Sequence, residues 1–518
     1  MEKIMPAIFK ITAIFLCIFL FACGSGSSNE NNEIPDETAT TDDSDTAMPD
    51  EDSDFSDTDT SIEENDEETD KDSDPALSDE DGGENDNEIP DEDGDFEELQ
   101  TGGIYIFSDF DESGNAQSRN ILGNGGFLGF SIFSLGEKYW AVSAIHESIP
   151  AFDWEKATGR LYIFEKSKHV GSLDDAAFVL NHPDKTVQVG FGYTAAAPCD
   201  INGDGFDDLV VSSHLAPFGD LYAAGEFVVF YGSPDGWNEE TYSISRLSSA
   251  YIQKADSMSQ SLACLDYDGD GFADIFAGGQ NAGPELTGGG SQGMVAFFKG
   301  TPAGLSEHES WVMLPEVEEK AQYFGSSMLI EDLNGDSLPD LVISGWGLKE
   351  SASSANSGGA YIYLGGTDWQ NGATYKIFGE TGTQFGSALK VIEISGKKYL
   401  VVLATKDKNY GTVNFYDPKE NFAERGRFSF PSAFEEEGNI SDFDTIKLSA
   451  DTDLIVIGGK YFGNGGMTYC ATISNKTISE PEACRFQPAA PEGGFGNSVF
   501  NNKNGEIVVG MPEYIHRF

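Results

Sequence analysis

The stretch DINGDGFDDLVVSS, residues 200–213, decides how this chain reads. Oxygen-bearing side chains stand at Asp200, Asn202, Asp204 and Asp208, and the chain then passes directly into an apolar, β-branched run. Such a loop belongs either to a helix-loop-helix calcium site or to a hairpin between strands. A helix-loop-helix site needs a bidentate acid at its twelfth position. Counting from Asp200, that position is Val211, inside the apolar run, whereas Asp208 closes the loop at position nine. The hairpin reading follows.

Two near copies lie 66 residues apart in sequence: LDYDGDGFADIFAGG from Leu265 and EDLNGDSLPDLVISG from Glu331. Their twelfth positions are Ala277 and Ile343, and their ninth are Asp274 and Asp340. Calcium takes six to eight hard oxygen donors in flexible geometry, so side chains at positions one, three, five and nine plus the carbonyl at seven form a suitable set. The proposed ligands are Asp200, Asn202, Asp204, Asp208 and the Phe206 carbonyl in loop one. In loop two they are Asp266, Asp268, Asp270, Asp274 and the Phe272 carbonyl, and in loop three Asp332, Asn334, Asp336, Asp340 and the Leu338 carbonyl. Gly205 and Gly271 at position six permit positive φ, but Ser337 takes that place in loop three at a cost of roughly 1 kcal/mol, which ranks this site weakest. The competing reading is an Asx-rich turn without metal. Against it, several acids crowded into one turn repel each other unless a cation is present.

Around these loops a longer pattern repeats. A motif of the form apolar-Gly-x-small-apolar opens each unit: LGFSI at Leu128, FGYTA at Phe191, FGSSM at Phe324, FGSAL at Phe385 and FGNSV at Phe495, with fainter versions at Met258 and Ile440. Seven short apolar runs follow in step, from YWAVSA at Tyr139 to IVVGMP at Ile507, and read as buried strands. A glycine-led strand comes next in six units, from GRLYIF at Gly159 to GMTYCA at Gly466. The seventh is found at the other end, as GIYIFSDF from Gly103. Multi-stranded repeats without helical periodicity, completed by a strand from the opposite terminus, predict an all-β fold: a seven-bladed β-propeller over residues 99–518, four strands per blade, closed by the N-terminal strand. The turns equivalent to the acidic loops in the other four units, LGEKY, ISGKK, SADTD and NKNGE, are shorter and lack spaced acids, so ordinary hairpins are expected there.

The FG motif, the D-x-N-G-D-G-x-x-D loop and the strand after it resemble the FG-GAP repeats of integrin alpha subunit propellers and their bacterial relatives, over about 420 residues. Leu128, Met258 and Ile440 depart from the pattern by replacing Phe. The resemblance implies that the loops join the first two strands of a blade on the face opposite the ligand surface and act as structural calcium braces.

The N-terminal region is different in kind. Lys3 and Lys10 precede an apolar run over residues 11–21, shorter than the roughly 20 residues of a membrane-spanning helix, which predicts a signal peptide over residues 1–22. Its end, LFACG, resembles the lipobox of bacterial lipoproteins, which implies lipidation at Cys23 and attachment to a membrane in the bacterial cell envelope, outside the cytoplasm. Residues 24–100 hold 33 Asp and Glu against the single Lys71. Such a segment cannot bury enough apolar surface to offset its conformational entropy, so residues 23–98 are expected to be a disordered acidic tether with a reach of roughly 250 Å. The formal charge of −59 argues against nucleic acid as a partner.

An extracytoplasmic site permits disulfides, and Cys470 with Cys484 and Cys199 with Cys264 are the favoured pairs. A protein or polysaccharide ligand is expected on the face opposite the acidic loops, where long polar loops carry Phe152, Trp154, Phe218, Tyr222 and Trp346. The GGSQG stretch at 289–293 matches a nucleophile pattern, but it leads into a strand instead of a helix. No histidine pair has metal-ligand spacing. The expectation is therefore a non-catalytic, calcium-binding adhesion or ligand-binding module, with a polysaccharide lyase or hydrolase and an envelope assembly scaffold as alternatives.

Overall fold

The computed structural model describes residues 102–512 except 124–125, 148–157, 186–188, 252–255, 285, 287–291, 395, 406–410, 430–438, 461–465, 475–476, 480, 486–493 and 496. The predicted signal peptide, Cys23 and the tether lie outside the described residues, as do Phe152 and Trp154. No helix among the described residues is long and apolar enough to cross a membrane.

Seven antiparallel sheets follow one another along the chain. Blade one runs Leu128–Leu135, Tyr139–Ala144, Arg160–Glu165 and Phe178–Asn181 from its first strand to its fourth. Blade two runs Phe191–Cys199, Asp208–Ser213, Glu226–Phe230 and Tyr242–Ser245. Blades three, four, five and six repeat this order, beginning at Ser261–Leu265, Ser327–Glu331, Phe385–Ile394 and Asn439–Ser449. Blade six frays at its outer edge, where Thr477–Ile478 and Glu482–Ala483 both pair with Met467–Ser474. Blade seven takes Val499–Asn501 and Ile507–Met511 from the C-terminal end, and Gly103–Ser108 and Gln117–Leu122 from the N-terminal end. Closure therefore uses two N-terminal strands, not one, because the hairpin that begins with Gly103–Ser108 supplies the outer strand as well.

The hydrophobic core is divided among the seven joints between blades. Alternate residues of a middle strand face opposite neighbours: Leu209 and Val211 pack toward blade one, and Val210 packs toward blade three. Trp140 and Val142 likewise meet Ile104, Ile106 and Val508 across the joint between blades one and seven. Each sheet is thus buried on both faces, which explains strands that read as continuous apolar runs instead of alternating ones.

The repeat motif is the chemistry of these joints. Gly293, which leads the third strand of blade three, forms a parallel bridge to Phe324 of the FG motif of blade four; a Cβ on Gly293 would lie 2.3 Å from the Phe324 nitrogen. Gly325 reciprocates at φ 84°, where a Cβ would lie 2.6 Å from the Met294 carbonyl. Side chains are excluded because two backbones meet there. The Phe ring itself needs only to be apolar: Leu128, Met258 and Ile440, which replace it, are as fully buried as Phe324. In blade three Ser259 stands in place of the motif glycine at φ 70°, and its hydroxyl donates to the Glu226 carbonyl at 2.7 Å.

One joint is held by charge. Lys390, on the first strand of blade five, reaches Asp442 (3.3 Å) and Asp444 (3.4 Å) on the first strand of blade six. Those carboxylates accept the N–H groups of Val499 and Asn501 on the first strand of blade seven, each at 2.9 Å. Burial would lower the Lys390 pKa, but the two carboxylates outweigh it and raise it.

Candidate metal loops and the opposite face

Antiparallel order puts the hairpins between first and second strands at one end of the propeller and the loops between second and third strands at the other. All three acidic loops occupy the first kind of position, between Phe191–Cys199 and Asp208–Ser213, Ser261–Leu265 and Asp274–Gly279, and Ser327–Glu331 and Asp340–Gly345.

Each loop is wound around its first and ninth residues. In loop one Asp208 accepts the N–H of Ile201 (2.9 Å) on one oxygen and that of Gly232 (2.7 Å) on the other. Asp274 does the same with Tyr267 (3.0 Å) and Gly300 (2.9 Å), and Asp340 with Leu333 (3.0 Å) and Gly365 (2.8 Å). The ninth acid thus ties the loop to the end of the third strand of its blade. Those three glycines were missed as site residues, although each closes a third strand about 25 residues after the ninth acid and so repeats with the loop.

Position one accepts from position six in every loop: Gly205 N–H to Asp200 (3.0 Å), Gly271 to Asp266 (2.9 Å) and Ser337 to Asp332 (3.0 Å). This wrap requires positive φ at position six, with Gly205 at 85°, Gly271 at 91° and Ser337 at 70°. Ser337 therefore carries the strain expected for it. Position four, Gly in all three loops, also has positive φ, a second requirement of the wrap.

The donor set fits a divalent cation on two observations. One oxygen of Asp200, Oδ1, is buried without a hydrogen-bond partner, and a buried carboxylate oxygen left unpaired is costly unless it ligates. In loop two, oxygens of Asp266, Asp268 and Asp274 lie within 4.8 Å of one another. Burial pushes the carboxyls of Asp208 and Asp274 up to about 6, more strongly than their backbone partners pull them down, and neighbouring acids add to the rise. A bound cation would relieve this penalty, and calcium would take the remaining lone pairs of these oxygens.

Loops one and two abut. The disulfide Cys199–Cys264 joins the strands that lead into them, with Cα atoms 6.1 Å apart. The Ala273 N–H donates to the Asp200 carbonyl at 2.8 Å, and the Phe272 ring covers Gly203, where a Cβ would lie 2.6 Å from the ring. The other disulfide, Cys470–Cys484, holds the frayed edge of blade six.

At the opposite end, Phe218 and Tyr222 are 42% and 40% exposed, on a small turn closed by reciprocal bonds between Phe218 and Leu221. The Arg246 guanidinium lies 5.1 Å from the Phe218 ring centre. Trp346 is half-buried, stacked on Tyr323 at 3.4 Å, and its indole N–H donates to Gln280 at 3.1 Å. Nearby, His146 and His214 are buried, and burial pushes both imidazoles down to about 3. The structure thus places Phe218, Tyr222 and Trp346 on one end and the fifteen proposed ligand residues on the other. Gly293, the last residue of the nucleophile-like stretch, serves the joint to Phe324 and leads into a strand.

The FG-GAP repeat model matches residues 191–230, which span the first three strands of blade two and loop one. The chain is similar to integrin alpha-PS2 of Drosophila melanogaster, 26% identical over 180 residues (33% of this chain and 12% of that protein). It is also similar to integrin alpha-5 of Xenopus laevis, 28% identical over 166 residues (30% and 15%). A third relative is the phosphatidylinositol-glycan-specific phospholipase D of Bos taurus, 28% identical over 179 residues (34% and 20%). In each case the match spans a fifth or less of the relative's length. The chain thus carries an FG-GAP repeat in blade two of a seven-bladed β-propeller, and it is similar in sequence to integrin alpha chains.

Proposed function

We propose that this chain is a non-catalytic binding or adhesion module, braced by calcium at three loops and displayed on the bacterial cell envelope through lipidated Cys23 and its acidic tether. The observation that carries this reading is the division of labour between the two ends. Spaced acids wound for a cation stand at one end, while exposed Phe218 and Tyr222 and the stacked pair Tyr323 and Trp346 stand at the other, on a scaffold whose joints are rigidly packed. The ligand is a protein or polysaccharide of the envelope or of a neighbouring cell.

The test is a binding screen of the chain carrying Cys23→Ser against envelope proteins and polysaccharides, with and without Phe218→Ala and Trp346→Ala. Saturable binding weakened at least tenfold by either substitution supports the reading. A second reading, an enzyme, is favoured by the similarity to a phospholipase D. Adding phosphatidylinositol glycans to the screen covers it, and turnover abolished by one acid or histidine substitution would replace the binding-module reading.

A further inference from the structure

Lys299 distinguishes loop two from the other loops. It follows the third strand of blade three, Met294–Phe298, and its ammonium makes ion pairs with Asp268 and, at 2.8 Å, with Asp270. Those are positions three and five, half of the side-chain donors that the loop offers a metal. We propose that Lys299 is a tethered competitor for the divalent cation at loop two, making this loop an exchangeable site whose affinity the lysine lowers. The proposal rests on the calcium reading given above.

Three observations support it. The strand register identifies the residue equivalent to Lys299 in every blade: Glu165, Tyr231, Leu364, Asp417, Thr472 and Ser108 in blades one, two, four, five, six and seven. None is a cation, so the competitor is specific to blade three. Blade five shows that this position reaches the hairpin, because Asp417 there pairs with Lys397, which opens the second strand next to the turn, the same bridge with its charges exchanged.

Charge balance gives the third observation. Loop two has Asp268 where loops one and three have Asn202 and Asn334, so its ligand positions hold four carboxylates against three in each of the others. One ammonium restores the balance to that of its neighbours. Without metal, Lys299 stabilises a loop that would otherwise be the most repulsive of the three. With metal, it must leave, because one cation cannot share those oxygens with another. The exchange is within reach, since Lys299, Asp268 and Asp270 are all about one-third exposed and pairs of that kind are screened by water.

The test isolates loop two in the full chain by Asp204→Ala and Asp336→Ala, then measures calcium affinity by calorimetry with Lys299, Lys299→Met and Lys299→Arg. Lys299→Met is expected to tighten binding about tenfold, the order that two exposed ion pairs supply, while Lys299→Arg stays near the parent. In chelator, Lys299→Met should also lower the thermal midpoint, a loss that calcium reverses. Equal affinity for Lys299 and Lys299→Met would overturn the proposal and leave the calcium reading intact. No calcium uptake by the parent chain with all loops present would overturn both.

Discussion

Blades three and five build the same contact from opposite charges. In blade three the hairpin supplies Asp268 and Asp270, and the third strand supplies Lys299. In blade five the hairpin supplies Lys397, the third strand supplies Asp417, and Arg425 adds a second cation at 3.3 Å. In blade five the charges balance, because Arg425 also pairs with Glu420, and the Asp417 carboxylate is fully buried. Blade three has more anions than cations even with Lys299 in place. A hairpin of short, basic sequence closes by itself, whereas one of spaced acids needs an external charge.

The largest expected effect is calcium withdrawal. At a hundred times its dissociation constant, calcium contributes about 2.7 kcal/mol per filled site, so a chelator should lower the thermal midpoint by several degrees. Asp204→Ala with Asp270→Ala should remove most of that gain. A midpoint indifferent to chelation would dissolve the contrast between the blades, since both would then be self-sufficient.

Asp417→Ala probes the other side. It removes the shared partner of Lys397 and Arg425, both more than a third exposed, and the acceptor of the Lys419 N–H, with an expected loss of about 2 kcal/mol by chemical denaturation. The loss should be the same with and without calcium. Burial would raise the Asp417 pKa, but its cations outweigh that and lower it. Its contribution is therefore present above the ordinary carboxylate range and disappears only as pH falls through the lowered value.

Acid acts earlier through another pair. His146 and His214 stay neutral in the fold down to about pH 3, while in the unfolded chain they take up protons below about 6.5. Stability should therefore fall by about 1.4 kcal/mol per pH unit for each imidazole as pH drops below 6.5. His214→Gln should roughly halve that slope, and measurements at pH 7.5 keep it out of the comparison between blades. The smallest effect is expected from Ser337→Gly, a gain of about 0.5 kcal/mol: relief at φ 70° is partly cancelled by the greater freedom of glycine when unfolded.

Much of this was legible in sequence because the repeats checked one another. Val211, Ala277 and Ile343 excluded a helix-loop-helix site, and three loops with the same spacing pointed to one hairpin position. The glycine-led strand missing at one terminus and present at the other gave the ring closure. The second N-terminal strand, Gln117–Leu122, carries no such mark, since its sequence QSRNIL is mostly polar and exposed, as an outer strand can be. Gly232, Gly300 and Gly365 escaped notice because their role, donating an N–H to the ninth acid, requires the third strand to fold back beside the loop.

The sequence by itself determined what is periodic and local: seven strand groups, three nine-residue acidic loops and the glycines that permit positive φ. Backbone sterics and apolar spacing act over a few residues, and repetition multiplies their signal. Only the tertiary structure decided which charges meet. Lys299 faces loop two, Asp417 faces Lys397, and Lys390 spans blades five and six, because each pairing depends on register between strands and on which blades are neighbours. Coulomb attraction is set by distance in space, and distance along the chain does not reveal it.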